Sequence, residues 1–294
     1  MLRTGSVNAS SLNVRPTAST SRPPVARLDR GARLTVVGKR TTWYRIEAGA
    51  VRGWAASRYV ALDPVLLVDL YRGDLGPSPP WPKVAAAPGY VGAILKATEG
   101  ESYPQATWFV SNWPRVRAAG GARVGTSWFR GAYHFLIFAR DGTRQADYFL
   151  DTVDAAGGWA DGDLHPIVDV ELGGDGHPNR QATKAQVIDV VSAWTARVKA
   201  RTGRSVLLYG RNAMQELGIR KRMGASHLWN PSYTETMRST AGIGWPANRV
   251  PLWQYTDGVT NKTAYPTAVP GFGAVDASVF LAGHIDDLSD RLCR

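Results

Sequence analysis

His165-Pro-Ile-Val-Asp-Val-Glu-Leu172 is a short apolar run carrying two acids, bounded by Pro166 and Gly173. The β-branched residues Ile167, Val168 and Val170 predict a buried strand, because a run this brief is too short for a helical face. Side chains alternate along a strand, so Asp169 and Glu171 are expected on one face with Cα atoms roughly 6.6 Å apart. Carboxylates that close oppose joint ionisation, and one of the pair should keep its proton near neutrality, as a general acid must. A salt-bridged pair capping a strand is the structural alternative from these residues alone.

Outward from this run, strands and helices alternate. Val65-Leu-Leu-Val-Asp-Leu70, Val91 to Ala97 and Arg130-Gly-Ala-Tyr-His-Phe135 read as strands upstream. Ser205 to Tyr209, His227-Leu-Trp-Asn230, Pro251-Leu-Trp-Gln-Tyr255 and Ala274-Val-Asp276 read as strands downstream. Helical patterns fall at Thr107 to Ala119 and Thr143 to Ala155. Another opens on the capping box Thr183-Lys-Ala-Gln186, with Val187, Val190, Val191, Trp194 and Val198 on one face, and Gly203 ends it. About eight strands in this rhythm predict an α/β chain folded as a parallel (β/α) TIM-like barrel, modified where the last third becomes loop-rich.

In such barrels the site lies at the C-terminal ends of the strands. Asp69 is expected to end the first strand, Asp169 and Glu171 the fourth and Asp276 the eighth, and strands one and eight adjoin on closure. Four acids should therefore meet at one mouth. Tyr133, Tyr209, Trp229 and Trp253 are expected at strand ends as a ring of aromatic faces for sugars. His134 should point the other way, as a packed structural histidine. His165 and His177 lack metal-ligand spacing with the acids, so neither a metal nor another cofactor is predicted.

The 294 residues hold 35 Lys and Arg against 24 Asp and Glu, for a net charge of +11. Residues 1 to 62 contain ten Arg and Lys39 against Asp29 and Glu47, so nearly all of the excess lies there. An anionic polymer is the expected partner of that part. Cys293 is the single cysteine, so no internal disulfide can form. No apolar run approaches the length that spans a bilayer, and residues 1 to 20 lack the core of a secretory signal. Residues 1–10 read as a disordered leader, 11–62 as a small all-β barrel of short alternating segments, and 63–294 as the larger barrel.

Leu12-Asn-Val-Arg15, Trp43-Tyr44 and Gly53-Trp54 resemble the bacterial SH3 domains that tether wall hydrolases to peptidoglycan. The resemblance makes Trp43, Tyr44 and Trp54 candidates for a wall-binding groove, with core packing as the alternative in so small a barrel. The dispersed arginines fit weak affinity for anionic wall polymers better than nucleic-acid reading.

In the larger part, seven motifs stand in the order found in glycoside hydrolase family 25 lysozymes. They are Val68-Asp69, Lys96-Ala-Thr-Glu-Gly100, Gly131-Ala-Tyr-His-Phe135, Pro166-Ile-Val-Asp-Val-Glu171, Leu228-Trp229 before Tyr233, Trp253-Gln-Tyr255, and Val275-Asp276 before Val279-Phe280. The resemblance implies hydrolysis of the β-1,4 bond between N-acetylmuramic acid and N-acetylglucosamine. It implies Glu171 as general acid, and Asp169 as the group that orients the substrate's 2-acetamido group or stabilises the transition state. Asp69 and Asp276 would set charge and position, with Lys96, Glu99 and Gln254 joining the aromatics in substrate binding.

Residues two apart on a strand cannot flank a bond from opposite faces, as an inverting pair must. Retention by substrate assistance is therefore expected, with a direct aspartate nucleophile as the alternative. The chain departs from the family at Tyr103-Pro-Gln-Ala106, which lacks the usual aspartate, at Asn230, and in the longer approach Arg123 to Phe129. A monomer acting on the cell wall, released as a phage endolysin or delivered as a toxin, is the expected setting. A non-catalytic peptidoglycan-binding protein is the alternative function.

Overall fold

A computed structural model describes residues 3–76, 78–120, 128–281 and 292–293. Most of the approach to Tyr133 expected at 123–129 lies outside the described residues. The larger part is a closed eight-stranded barrel. Its strands are β1 (Leu66–Leu70), β2 (Tyr90–Glu99), β3 (Phe129–Phe135), β4 (Ile167–Asp169), β5 (Leu207–Tyr209), β6 (His227–Pro231), β7 (Leu252–Asp257) and β8 (Asp276–Phe280). Each strand pairs with its neighbours in sequence, and β8 closes onto β1.

The first seven strands run parallel, but β8 runs antiparallel to both β7 and β1, which corrects the expectation of an all-parallel barrel. Ala274 belongs to a separate two-stranded ribbon with Ala268–Val269, and Asp276 begins the eighth strand instead of ending it. Reversal preserves the consequence: Asp276 pairs with Asp257 at the end of β7, so it still reaches the mouth.

Side-chain alternation sorts the barrel into two cores. Leu67, Ile94, Phe129, Ile167, Leu207, Trp229, Leu252 and Phe280 fill its interior. Val68, Leu95, Ala132, Val168, Leu208, Leu228, Trp253 and Val279 face outward into the helical layer. That layer includes α1 (Trp81–Ala86), α2 (Ala106–Gly120), α3 (Gly142–Ala155), α4 (Lys184–Thr202) and α5 (Arg211–Glu216). The capping box of Thr183 and Gln186 opens α4, and Gly203 closes it at φ +70°, where an L side chain would be strained.

The floor of the barrel is polar and tied down. Arg130 at the start of β3 makes two bonds to Asp163, 2.7 and 2.8 Å, and its guanidinium lies 3.9 Å from the Trp113 ring centre. Leu292 is buried among the interior residues there, and its carbonyl accepts from His165 N.

Arg3–Val7 is a strand between Arg33–Arg40 and Val60–Leu62, in a five-stranded sheet completed by Trp43–Ala48 and Val51–Ala56. A strand thus occupies Arg3–Val7, within the stretch 1–10 expected as a disordered leader. Val7 enters the small core, and a Cβ at Gly5 would meet the Ala61 carbonyl at 2.5 Å, so the glycine permits close strand approach. A hairpin of Ser11–Val14 and Ala26–Asp29 packs beside this sheet. Asp63 joins module to barrel, accepting hydrogen bonds from Thr4 and from both terminal nitrogens of Arg33.

Candidate active site

The barrel's interior face ends in a polar upper layer because the same alternation that buries Leu67, Ile167, Leu207 and Leu252 brings Asp69, Asp169, Tyr209 and Gln254 inward one step later. Asp69 is 6% exposed and Asp169 7%. The regular strand β4 stops at Asp169, but Val170 N still donates to the Tyr209 carbonyl at 2.8 Å, which keeps Glu171 on the rim.

The acids are coupled through an amide. Gln254 Nε2 donates to Asp69 Oδ1 and Oδ2 at 3.1 and 3.2 Å and to Asp276 Oδ2 at 3.2 Å. Gln254 Oε1 accepts from the hydroxyls of Tyr209 at 2.7 Å and Tyr233 at 2.8 Å. Both ends of this side chain are occupied by protein and it is 2% exposed, so it backs the site instead of contacting substrate as expected.

Burial pushes all four carboxyls above their ordinary range. Asp69 is raised well above it by burial and then by the charge of Asp276, with Gln254 opposing. Asp169 is raised well above it by burial and by Glu171, with Lys96 opposing. Burial also raises Glu171, with Lys96 and the nearby Tyr209 hydroxyl opposing. Asp276 is pushed up to about 7 by burial and the charges of Asp74, Asp257 and Glu171. Asp169 Oδ1 is buried and has no hydrogen-bond partner among the described residues. Raised carboxyls gathered in one cleft are the groups from which a general acid is drawn.

Lys96 donates to Glu99 at 2.6 Å and lies 5.1 and 4.9 Å from the ring centres of Tyr103 and Phe135. It supplies positive charge to the Asp169 and Glu171 side of the mouth. A cleft of about 290 Å³ lined by Glu171, Gly173, Gly174, Arg180, Asn212 and Glu216 opens beside the acid.

The expected aromatic ring is only partly assembled. Tyr133 is partly exposed at the mouth. Tyr209 and Trp229 are 7% and 3% exposed, with ring centres 4.7 Å apart, so they floor the site and offer no free sugar face. Trp253 points out of the barrel, donates to the Ser232 carbonyl and packs edge-on against Tyr255 and Tyr265. Its neighbour Gln254 took the inward position. Tyr233 and Asp74 were missed as site residues; Tyr233 stood within a quoted motif, whereas Asp74 lies in a loop whose pattern carries no signal. His134 is the packed histidine expected, bonded to Thr98 and Gln145 and stacked on Trp194, with burial lowering its pKa to about 3. Among the described residues no group of three His, Cys, Asp or Glu is arranged for a metal, and no helix is long and apolar enough to cross a membrane.

In the N-terminal module, Trp43 and Tyr44 are consecutive on a strand and face opposite ways, so the three expected aromatics do not form one groove. Trp43 lines a groove of about 580 Å³ with Leu12, Asn13, Arg15, Arg58 and Tyr59. Tyr44 packs against the small core. Trp54 exchanges backbone hydrogen bonds with Arg15.

Residues 68–263 match the model for glycosyl hydrolases family 25, and residues 10–61 match the bacterial SH3 domain. A bacterial lysozyme structure from Streptomyces coelicolor superposes with a TM-score of 0.63 at 27% identity, covering 78% of this chain and 97% of that one. Lysozyme M1 of Streptomyces globisporus is 35% identical over 132 residues, 44% of this chain and 41% of that protein. The uncharacterized protein YegX of Escherichia coli is 27% identical over 165 residues, 56% of this chain and 52% of that protein. The chain spans about half the length of the curated relatives it matches. With the family model covering well over half of its residues, this chain belongs to glycosyl hydrolase family 25 and carries a bacterial SH3 domain ahead of its barrel.

Proposed function

We propose that the protein is an N-acetylmuramidase that cleaves peptidoglycan between N-acetylmuramic acid and N-acetylglucosamine with retention. The observation that carries this reading is the convergence of Asp69, Asp169, Glu171 and Asp276, all with raised pKa values, in one mouth. Glu171, the partly exposed member of its pair, donates its proton to the glycosidic oxygen as the C1–O bond breaks toward that oxygen. The substrate's acetamido oxygen attacks C1 from the opposite face, while Asp169 accepts the acetamido N–H. Glu171, now ionised, takes a proton from water, which attacks C1 on the face the leaving group vacated as the bond from C1 to the acetamido oxygen breaks and the electron pair returns to the acetamido group, restoring the original configuration. Asp169 and Glu171 share one rim, which supports substrate assistance over an inverting pair.

The groove of Trp43, Tyr59, Arg15 and Arg58 would hold the wall, with its excess positive charge drawing on anionic wall polymers. A monomer carries every part of this apparatus, and the setting we favour is lysis from outside the cytoplasm, as an endolysin or delivered toxin. The test is the identity of new reducing ends from purified sacculi, comparing wild type with Glu171→Gln. Muramic acid ends, first released as the β-anomer and absent in the variant, are expected. Wild-type protein that binds sacculi and releases no ends would make the barrel a binding module instead.

A further inference from the structure

We propose that Gln254 is a positioning residue that ties Asp69 and Asp276 into one buried carboxylate pair sharing a single proton, with Tyr209 and Tyr233 holding its amide in the required orientation. The kinetic part of this inference rests on the muramidase reading; the carboxylate pair does not.

An amide oxygen only accepts and an amide nitrogen only donates. Gln254 Oε1 receives two hydroxyl protons, at 2.7 and 2.8 Å, so its nitrogen has to face the acids. There two N–H groups serve three carboxylate oxygens within 3.2 Å, across two side chains. Turning the amide over would set its oxygen against two carboxylates. The groups that face the pair set its charge. Asp74 from the β1 loop, Asp257 from β7 and Glu171 from the β4 rim repel a second negative charge. The Tyr133 phenol lies within the field of both aspartates, as does the Tyr233 hydroxyl behind Gln254, and the Tyr209 hydroxyl lies within that of Asp69. Lys96 acts on Asp169 and Glu171, on the other side of the mouth.

Two carboxylates in one buried site do not ionise together, and they titrate as a unit. The Gln254 donors favour the charged form of Asp69 and oppose the burial that raises both carboxyls, so they lower the first ionisation of the pair, while the neighbouring negative charges raise the second. Between these steps the mouth carries one fixed negative charge, which is what a sugar developing positive charge at C1 requires. Gln254 is 2% exposed, so its effect reaches the reaction through the groups it bonds, the two aspartates first.

The experiment uses the full chain with ¹³C-labelled aspartate carboxyls, titrated by NMR in wild type, Gln254→Leu and Tyr233→Phe, beside the pH profile of kcat/KM on solubilised glycan strands. Losing donors to the charged form raises a carboxyl pKa, so Gln254→Leu should move the lower step of the pair up by about one unit, and the acid limb of the profile with it. Tyr233→Phe, which removes one of the two hydroxyls on Oε1, should move both in the same direction by less. A Gln254→Leu protein that melts earlier but titrates unchanged would overturn the proposal, leaving Gln254 as packing. If that variant does not fold, an unmoved titration in Tyr233→Phe overturns it equally. A shifted titration in a protein that releases no reducing ends would sustain the pair and sink the muramidase reading.

Discussion

Arg130 and Asp163 meet at the closed end of the barrel in a two-bond ion pair, 2.7 and 2.8 Å, with both residues 4% exposed or less. Asp163 Oδ2 also accepts from Ala160 N, so one carboxylate anchors β3, the turn before β4 and, through the guanidinium, the Trp113 carbonyl. Removing Asp163 leaves a buried guanidinium without its counter-charge. Asp163→Ala should lose about 3–5 kcal/mol in urea unfolding, with kcat unchanged at temperatures where the variant stays folded. A loss of activity without a loss of stability would show that this pair reaches the mouth.

Gly210 sits at φ +142°, and a Cβ there would come within 2.3 Å of the Val170 carbonyl. The position therefore needs glycine twice over, for its backbone angle and for the approach of β5 to the residue before Glu171. Gly210→Ala should displace Glu171 and lower kcat on the order of 100-fold, with a smaller change in KM, in steady-state assays on glycan strands.

Asp276 holds its proton up to about pH 7 in the fold because it is buried and faces Asp74, Asp257 and Glu171. An unfolded chain releases that proton near pH 4. The folded state thus binds more protons across this window, and its stability falls as pH rises from about 4 to about 7. Asp276→Asn removes this dependence. Its melting temperature relative to wild type should be several degrees higher at pH 8 than at pH 4, while activity drops.

Trp43 lines the groove of the N-terminal module, and Tyr44 faces the core behind it. Trp43→Ala should halve or worse the fraction of protein retained on sacculi, with no change in cleavage of short soluble glycans. Tyr44→Ala should instead lower the module's melting temperature. Retention unchanged in Trp43→Ala would move the wall contact elsewhere on the module.

Much of this arrangement could be read from residue order because it follows from period-two alternation. The acids of β1 and β4, the outward His134 and the capped α4 all follow from which neighbours are apolar. The direction of β8 could not be read, since an apolar strand beside an acid looks alike forwards and backwards; a register against β7 was needed. Trp253 and Gln254 show the same gap at finer scale. Both stand on one strand, and counting from the inward Leu252 assigns the polar residue to the mouth and the larger aromatic to the outer layer. The strand Arg3–Val7 was hidden by its Ser, Thr and Gly, residues that suit a closely packed strand as well as a leader.

The reversed β8 also decides where cargo can be attached. β1 starts at Leu66 and β8 finishes at Phe280, and these ends lie side by side at the closed face, where Phe280 N donates to the Val65 carbonyl. A barrel with eight parallel strands would have finished its last one at the open rim, beside the acids. Here, both points of attachment lie on the face turned away from the acids. A module fused at either end can be exchanged, lengthened or duplicated without obstructing the mouth, so the two parts are free to vary independently.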